Sequence, residues 1–299
     1  MALAGGSEVV HVPVLVDEVA FLLRPRGEGW VIDGTVGMGG HAEALLMTSP
    51  ASVRLLGLDV DPEAMRHAGA RLARFGERVR LARESFRNLR TAAEAHGVAR
   101  ARALLLDLGV SSHQLEASGR GFSFQRDEPL DMRLDPTRGE SAADLVNRLT
   151  EAELARILVE YGEEPHARRI ARTIARRRPL GRTGDLVAAV RSAVPRAAWP
   201  HRLHVATRTF QALRMAVNDE PAALRDALRD APALLEVGGR LGVISFHSGE
   251  DRIVKRTFRA LESAGYAELQ PSPLGPEDDE VRANPRARSA KLRVLERRE

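Results

Sequence analysis

Uninterrupted apolar runs alternate with helical stretches through the first hundred residues, and this alternation constrains the fold more than any other feature. Trp30-Val31-Ile32-Asp33, Val53 to Asp59, Val79 to Ala82 and Ala103 to Asp107 each read as a strand. Strands of this kind, with helices between them, form a parallel sheet covered on both faces. After the second run, Asp61-Pro62-Glu63 gives a helix an aspartate cap and a proline at its first position. From about Ser112 to Arg214 no buried strand is legible. There Thr150-Glu151-Ala152-Glu153 is a capping box opening a helix that closes at Gly162. His166 to Arg178 carries Ile170, Ala171, Ile174 and Ala175 on one helical stripe, and Asp185 to Val194 is a shorter helix. The alternation resumes with a helix from about Pro221 to Glu236 and a strand from Arg240 to Phe246. A helix from Glu250 to Ala264 and a last strand from Ala290 to Glu296 follow. The expected fold is a Rossmann-like α/β domain of residues 1–111 and 215–299, interrupted by an all-α insertion at 112–214.

Several classes of function drop out on composition. The chain has 299 residues, 43% hydrophobic and 29% charged, and no cysteine. Disulfides, thiolate metal sites and cysteine nucleophiles are thereby closed. No apolar run approaches the ~20 residues that span a bilayer. Met1 to Val10 lacks the basic and apolar regions of a signal peptide, so a cytoplasmic protein is expected. His201 and His204 read as surface histidines, and no metal site is expected. The oligomeric state, monomer or homodimer, is left open.

Asp33-Gly34-Thr35-Val36-Gly37-Met38-Gly39-Gly40-His41 follows the first strand and precedes a helix. Glycines there let the backbone turn tightly and approach a ligand, and the helix start offers free N–H groups. Gly37-x-Gly39-x-x-Ala42 fits the dinucleotide fingerprint. Asp59 closes the second strand, 22 residues after Gly37, where a carboxylate can accept both hydroxyls of an adenosine ribose. Phe86 follows the third strand and is placed to cover an adenine face or to fill the core. Asp107 ends the fourth strand, and Gln114 follows. Two cofactors fit: a nicotinamide dinucleotide or S-adenosylmethionine. The sulfonium cofactor lacks a pyrophosphate and is held by acids at strand ends, so Asp33, Asp59 and Asp107 favour it.

The chain closely resembles the bacterial 16S ribosomal RNA cytosine-N4 methyltransferases. The resemblance runs nearly end to end, through His11-Val12-Pro13-Val14-Leu15, the Asp33–His41 loop, Asp107-Leu108-Gly109-Val110-Ser111-Ser112 and Gly121-Phe122-Ser123-Phe124. It continues with Pro129-Leu130-Asp131-Met132-Arg133, Ala206 to Arg214, Val217-Asn218-Asp219-Glu220, Ser245-Phe246-His247-Ser248 and Asn284-Pro285-Arg286. It implies a class I methyltransferase fold with a helical insertion. It also implies S-adenosylmethionine bound by Gly39, Gly40, His41, Asp59, Phe86, Asp107 and Gln114, and a cytidine of the decoding region, within the small ribosomal subunit, as target. Two departures from the family pattern are Gly249, where leucine is usual, and Glu84-Ser85 before Phe86. Other readings remain: a methyltransferase of another nucleic acid or of a small molecule, a nicotinamide dehydrogenase, or a non-catalytic rRNA-binding assembly factor.

Methylation at cytosine C5 starts from a thiolate attack that this chain has no residue to make. Methylation of an exocyclic nitrogen or of a ribose oxygen stays open, because the attacking atom carries its own lone pair; the resemblance implies the exocyclic nitrogen. The protein must then align nitrogen, methyl and sulfur and supply acceptors for the amino hydrogens. The Asp107–Gly109 segment is the expected source of acceptors, with Ser111 or Ser112 beside it, and His247 is a candidate proton acceptor or a structural histidine. Between His166 and Arg214 twelve arginines face one acid, Asp185, a net +11 in a chain of +4 overall. Phosphate attraction is the expected role, led by Arg168, Arg169, Arg172, Arg176, Arg177 and Arg178. Arg208 and Arg214 are candidates for pairing with Asp219 or Glu220.

Overall fold

The structure is a computed structural model, and it describes residues 13–111, 114–115, 118–201 and 203–299. The Met1–Val10 segment, His11, Val12, Ser112 and Arg202 lie outside these residues. Seven strands form one sheet in the order β3–β2–β1–β4–β5–β7–β6. They are β1 (Gly29–Asp33), β2 (Val53–Asp59), β3 (Val79–Arg83), β4 (Ala101–Asp107), β5 (Leu235–Ser245), β6 (Tyr266–Glu268) and β7 (Lys291–Arg297). β1 to β5 pair in parallel, and β7 runs antiparallel between β5 and β6. Order reverses at β1, whose neighbours are β2 and β4, so the carboxyl ends of β1 and β4 flank the switch point where open α/β sheets bind ligands.

The chain divides into two compact units: residues 1–109 with 225–299, and residues 110–224. The sequence places these junctions at 111/112 and 214/215, against 109/110 and 224/225 in the structure. In the first unit α1 (Val16–Leu22), α2 (Gly40–Thr48), α3 (Pro62–Leu72) and α4 (Leu89–Ala95) accompany the strands. Leu45 and Leu46 of α2 and Ala68 and Leu72 of α3 are buried with Val31, Leu55, Leu105 and Leu292 of the sheet. The apolar runs of β1, β2 and β4 are buried almost without a break. Asp61 caps α3 by accepting the Glu63 N–H at 3.0 Å, with Pro62 next.

Among the described residues of the second unit there are helices and one isolated bridge, Pro129 to Arg182, but no strand. Its helices include Ala142–Arg148, Glu151–Glu160, Ala167–Arg177, Thr183–Ala193 and Thr207–Asn218. They bury Leu154, Leu158, Ile170, Ile174, Leu186, Val190, Phe210 and Leu213 in a common core. Thr150 and Glu153 cap each other's backbone, as the capping box requires. At Gly162 a side chain would come within 2.7 Å of the Arg208 carbonyl and 2.9 Å of the Leu158 carbonyl, so the turn there needs glycine. Arg214 binds both oxygens of Glu220 at 2.8 Å, whereas Arg208 donates to the Glu163 carbonyl. His204 is not a plain surface residue: it stacks on Phe124 with ring centres 4.4 Å apart, and its Nδ1 accepts the Ala206 N–H.

Candidate active site

The glycine loop links the ends of three strands. Gly34 N–H donates to the Leu105 carbonyl of β4, and Val36 N–H to the Leu58 carbonyl of β2, both at 2.9 Å. Gly37 and Gly39 hold φ of +50° and +82°, which side chains rarely adopt, and the turn delivers the chain into α2. Gly37 N–H reaches the Asp59 carboxylate at 3.0 Å, and Asp61 N–H reaches its other oxygen at 2.9 Å. Phe86 packs so close to Gly34 that a Cβ there would stand 3.3 Å from the Phe86 Cβ.

Three carboxylates lie at this sheet end: Asp33, Asp59 and Asp107 close β1, β2 and β4. Burial pushes Asp33 up to about 7, although His41 and the Thr35 N–H bond at 3.1 Å pull it back. Burial likewise pushes Asp107 up to about 7, with the Glu250 charge adding to it, and Asp59 up to about 6. Thr35 Oγ1 accepts the Asp107 N–H at 2.6 Å and so ties the loop to β4. His41 is buried; its Nε2 lies 2.8 Å from the Val14 carbonyl, which can only accept, so that nitrogen carries the proton. Its Nδ1 stands 3.5 Å from Asp107 Oδ2, and burial lowers its pKa. The other Asp107 oxygen, Oδ1, is buried and has no hydrogen-bond partner among the described residues.

A raised acid weakens the fold as pH climbs. The unfolded chain releases the proton near the ordinary carboxyl value of 3.8, while folded Asp33 keeps it to about 7. The contribution of Asp33 to stability is therefore full below 3.8 and is lost progressively as pH rises to about 7. Asp33→Asn keeps the acceptor for Thr35 and removes the buried charge. Its expected result is a melting temperature a few degrees above wild type at pH 8, a gain that shrinks toward pH 5, read by calorimetry of the cofactor-free protein.

His247 follows β5 and caps the helix Ser248–Leu261, its Nδ1 accepting the Glu250 N–H at 3.3 Å. Glu250 is 6% exposed; its Oε2 accepts the Phe246 N–H at 2.9 Å, and Oε1 stands 3.1 Å from His247 Nε2. Gly249 abuts the same ring: a Cβ there would meet His247 Nδ1 at 3.1 Å, so any side chain at this position would require the imidazole to give way. Ser111 and Gln114 belong to the second unit. There Ser111 N–H donates to Gln114 Oε1 at 2.9 Å and Gln114 N–H donates to Ser111 Oγ at 3.2 Å, a reciprocal capping arrangement.

On the helix Ala167–Arg177 the buried stripe is Ala167, Ile170, Ala171 and Ile174, which leaves Arg168, Arg169, Arg172, Arg176 and Arg177 exposed. Arg172 lies 3.2 Å from Glu151. The side chains of the other four have no ion-pair or hydrogen-bond partner among the described residues. Arg178 turns inward instead, donating to the Val146 carbonyl at 2.7 Å and to that of Leu149, at the end of the helix Ala142–Arg148. Thr35 and Glu250 escaped the sequence reading. The His247-x-x-Glu250 spacing was a capping signal for Glu250; nothing local marked Thr35.

A mostly parallel sheet of this order, with a glycine turn after β1 and acids closing three neighbouring strands, defines a class I methyltransferase. The chain belongs to the MraW methylase family, whose model matches residues 8–298. It is 49% identical to the ribosomal RNA small subunit methyltransferase H of Anaeromyxobacter dehalogenans, over 96% of this chain and 97% of that protein. The proteins of the same name from Geotalea uraniireducens and Heliobacterium modesticaldum are 47% and 48% identical, over 97% and 96% of this chain and 99% and 98% of theirs. Among solved structures, an rRNA methylase from Streptococcus thermophilus superposes with a TM-score of 0.45 at 14% identity, covering 95% of this chain and 94% of that one. No helix among the described residues is long and apolar enough to cross a membrane, and no cluster of three or more metal-ligating side chains occurs among them.

Proposed function

We propose that this chain transfers a methyl group from S-adenosylmethionine to the N4 amino group of one cytidine in 16S ribosomal RNA, within the small ribosomal subunit in the cytoplasm. The observation that carries this reading is the near-complete alignment, at 47–49% identity, with proteins named for methylating small-subunit ribosomal RNA. The residues present fit the cofactor. Three desolvated acids converge on one sheet end and favour a cation, and Asp107 Oδ1 is buried with no hydrogen-bond partner among the described residues. Asp59 takes one backbone N–H on each oxygen, which leaves further lone pairs for ribose hydroxyls. Asp59 and Phe86 would hold the nucleoside, and Asp33, His41 and the Gly37–Gly40 turn its amino-acid end. The cofactor supplies a methyl group already activated on a sulfonium.

The chain's own task is then orientation and proton handling. Cytosine N4 is a weak nucleophile because its lone pair is shared with the ring, so the gain comes from alignment and from an acceptor for an amino hydrogen. Asp107 Oδ1 is that acceptor and takes the proton as the N–C bond forms. His247 is poorly suited to the task, because its Nδ1 lone pair already serves the Glu250 N–H. Ser111 is engaged with Gln114 through the reciprocal pair of bonds. Asp107 accepts only when ionised, and burial holds it protonated to about 7. The expected kcat/KM therefore climbs with pH and levels off above about 7, as a pH–rate profile reads. Radiolabelled transfer tests the reading: unmodified small subunits should accept label, and duplex DNA should not. Label on duplex DNA alone would contradict it.

A further inference from the structure

Two buried side-chain atoms at neighbouring strand ends have no hydrogen-bond partner among the described residues: Asp107 Oδ1 and His247 Nε2. β4 and β5 are adjacent, with Asp107 in register with Ile244, and His247 follows three residues later. Glu250 adjoins both side chains: its carboxylate stands 3.1 Å from His247 Nε2, and its charge is felt at Asp107.

The hydrogen-bond roles of the two atoms are fixed by what surrounds them. His247 Nδ1 accepts the Glu250 N–H, so the neutral ring carries its hydrogen on Nε2. Glu250 is held by the Phe246 N–H through Oε2; its Oε1 is close to Nε2 but not aligned to receive the hydrogen. The sheet end thus offers one acceptor, on Asp107, and one donor, on His247.

Cytosine presents the complementary pair on its Watson–Crick edge, an amino donor at N4 beside a ring acceptor at N3. Uracil presents the reverse, an acceptor at O4 and a donor at N3. Resting on the function proposed above, we propose that His247 is a specificity-determining residue whose Nε2–H donates to N3 of the target cytosine while Asp107 accepts from N4. Glu250 is the positioning residue: its backbone N–H occupies Nδ1, and its carboxylate, 3.1 Å from Nε2, favours a hydrogen on that nitrogen electrostatically. A donor at N3 draws electron density away from the amino group, so its contribution is selection and not activation. It acts on KM more than on kcat.

The test uses 16S RNA carrying either cytidine or 3-deazacytidine at the target, assembled into small subunits. 3-Deazacytidine keeps the amino group and replaces N3 by a C–H. Wild-type kcat/KM is expected to fall about tenfold on the deaza substrate, the scale of one lost base contact. His247→Asn keeps a strong helix cap but has no donor at that reach. It is expected to treat the two RNAs alike, with its loss on cytidine RNA carried by KM and with unchanged melting temperature and S-adenosylmethionine affinity. Glu250→Gln keeps the backbone cap but removes the negative charge beside Nε2 that favours its hydrogen, and it is expected to narrow the discrimination. A His247→Asn enzyme that discriminates as wild type does, or a wild type that does not discriminate, overturns the inference. Should His247→Asn not fold, unchanged discrimination in Glu250→Gln overturns it equally. Wild-type enzyme that transfers no methyl to cytidine RNA removes the proposed function itself, and the inference with it.

Discussion

Asp107→Asn is expected to lower single-turnover methyl transfer at saturating cofactor by about 10²- to 10⁴-fold, the range for loss of a positioned proton acceptor. The substitution keeps shape and volume. The new amide can donate to His41 Nδ1, which stands 3.5 Å from Asp107 Oδ2 and is the imidazole's unprotonated nitrogen. The Thr35 clamp uses the backbone of residue 107 and is untouched. The variant also removes a carboxyl that burial pushes up to about 7, so its melting temperature at pH 8 should match or exceed that of wild type. Lost turnover with retained stability separates a chemical role from a structural one. Near-normal turnover would remove Asp107 from the mechanism.

Replacing Arg168, Arg169, Arg176 and Arg177 together by glutamine is expected to weaken binding to small-subunit RNA by about 10³-fold at 0.1 M salt. Each phosphate contact contributes about 0.7 to 0.9 to the slope of log affinity against log salt, so the slope should fall by about three. The four are exposed on one face of a helix whose opposite stripe is buried, so the fold should survive. Arg178→Gln makes the contrast. That side chain is spent on the Val146 and Leu149 carbonyls, and its loss should lower the melting temperature while leaving the salt slope alone. Titration of RNA binding at several salt concentrations reads both. An unchanged slope in the fourfold variant would place the RNA contact elsewhere.

The sheet was legible where burial on both faces writes itself as a continuous apolar run. β1, β2 and β4 are placed by the sequence for that reason. β6 was not found, because Tyr266–Glu268 is three half-buried residues at a sheet edge, too short to show a period. β5 begins at Leu235, where a helix had been expected to continue to Glu236. The difference arises at Gly238-Gly239, which sits inside the strand's range where its register with β4 shifts. The strand-end acids were legible because chain order alone puts them at one edge of a parallel sheet. Thr35 was not, because its bond to Asp107 N–H depends on β1 and β4 being neighbours, a fact of tertiary topology. The arginine-rich stretch was visible as composition. Its separation into an exposed face and the inward Arg178 required the packed helices.

The most direct measurement is the identity and position of the methylated nucleoside after purified enzyme and S-adenosylmethionine act on small subunits lacking the modification. Digestion and mass spectrometry should find N4-methylcytidine at a single site of 16S RNA in the decoding region, and no 5-methylcytidine. A methyl group on C5, on another base or on ribose, or no transfer at all, would contradict an acid-lined site built to accept a proton from a cytosine amino group.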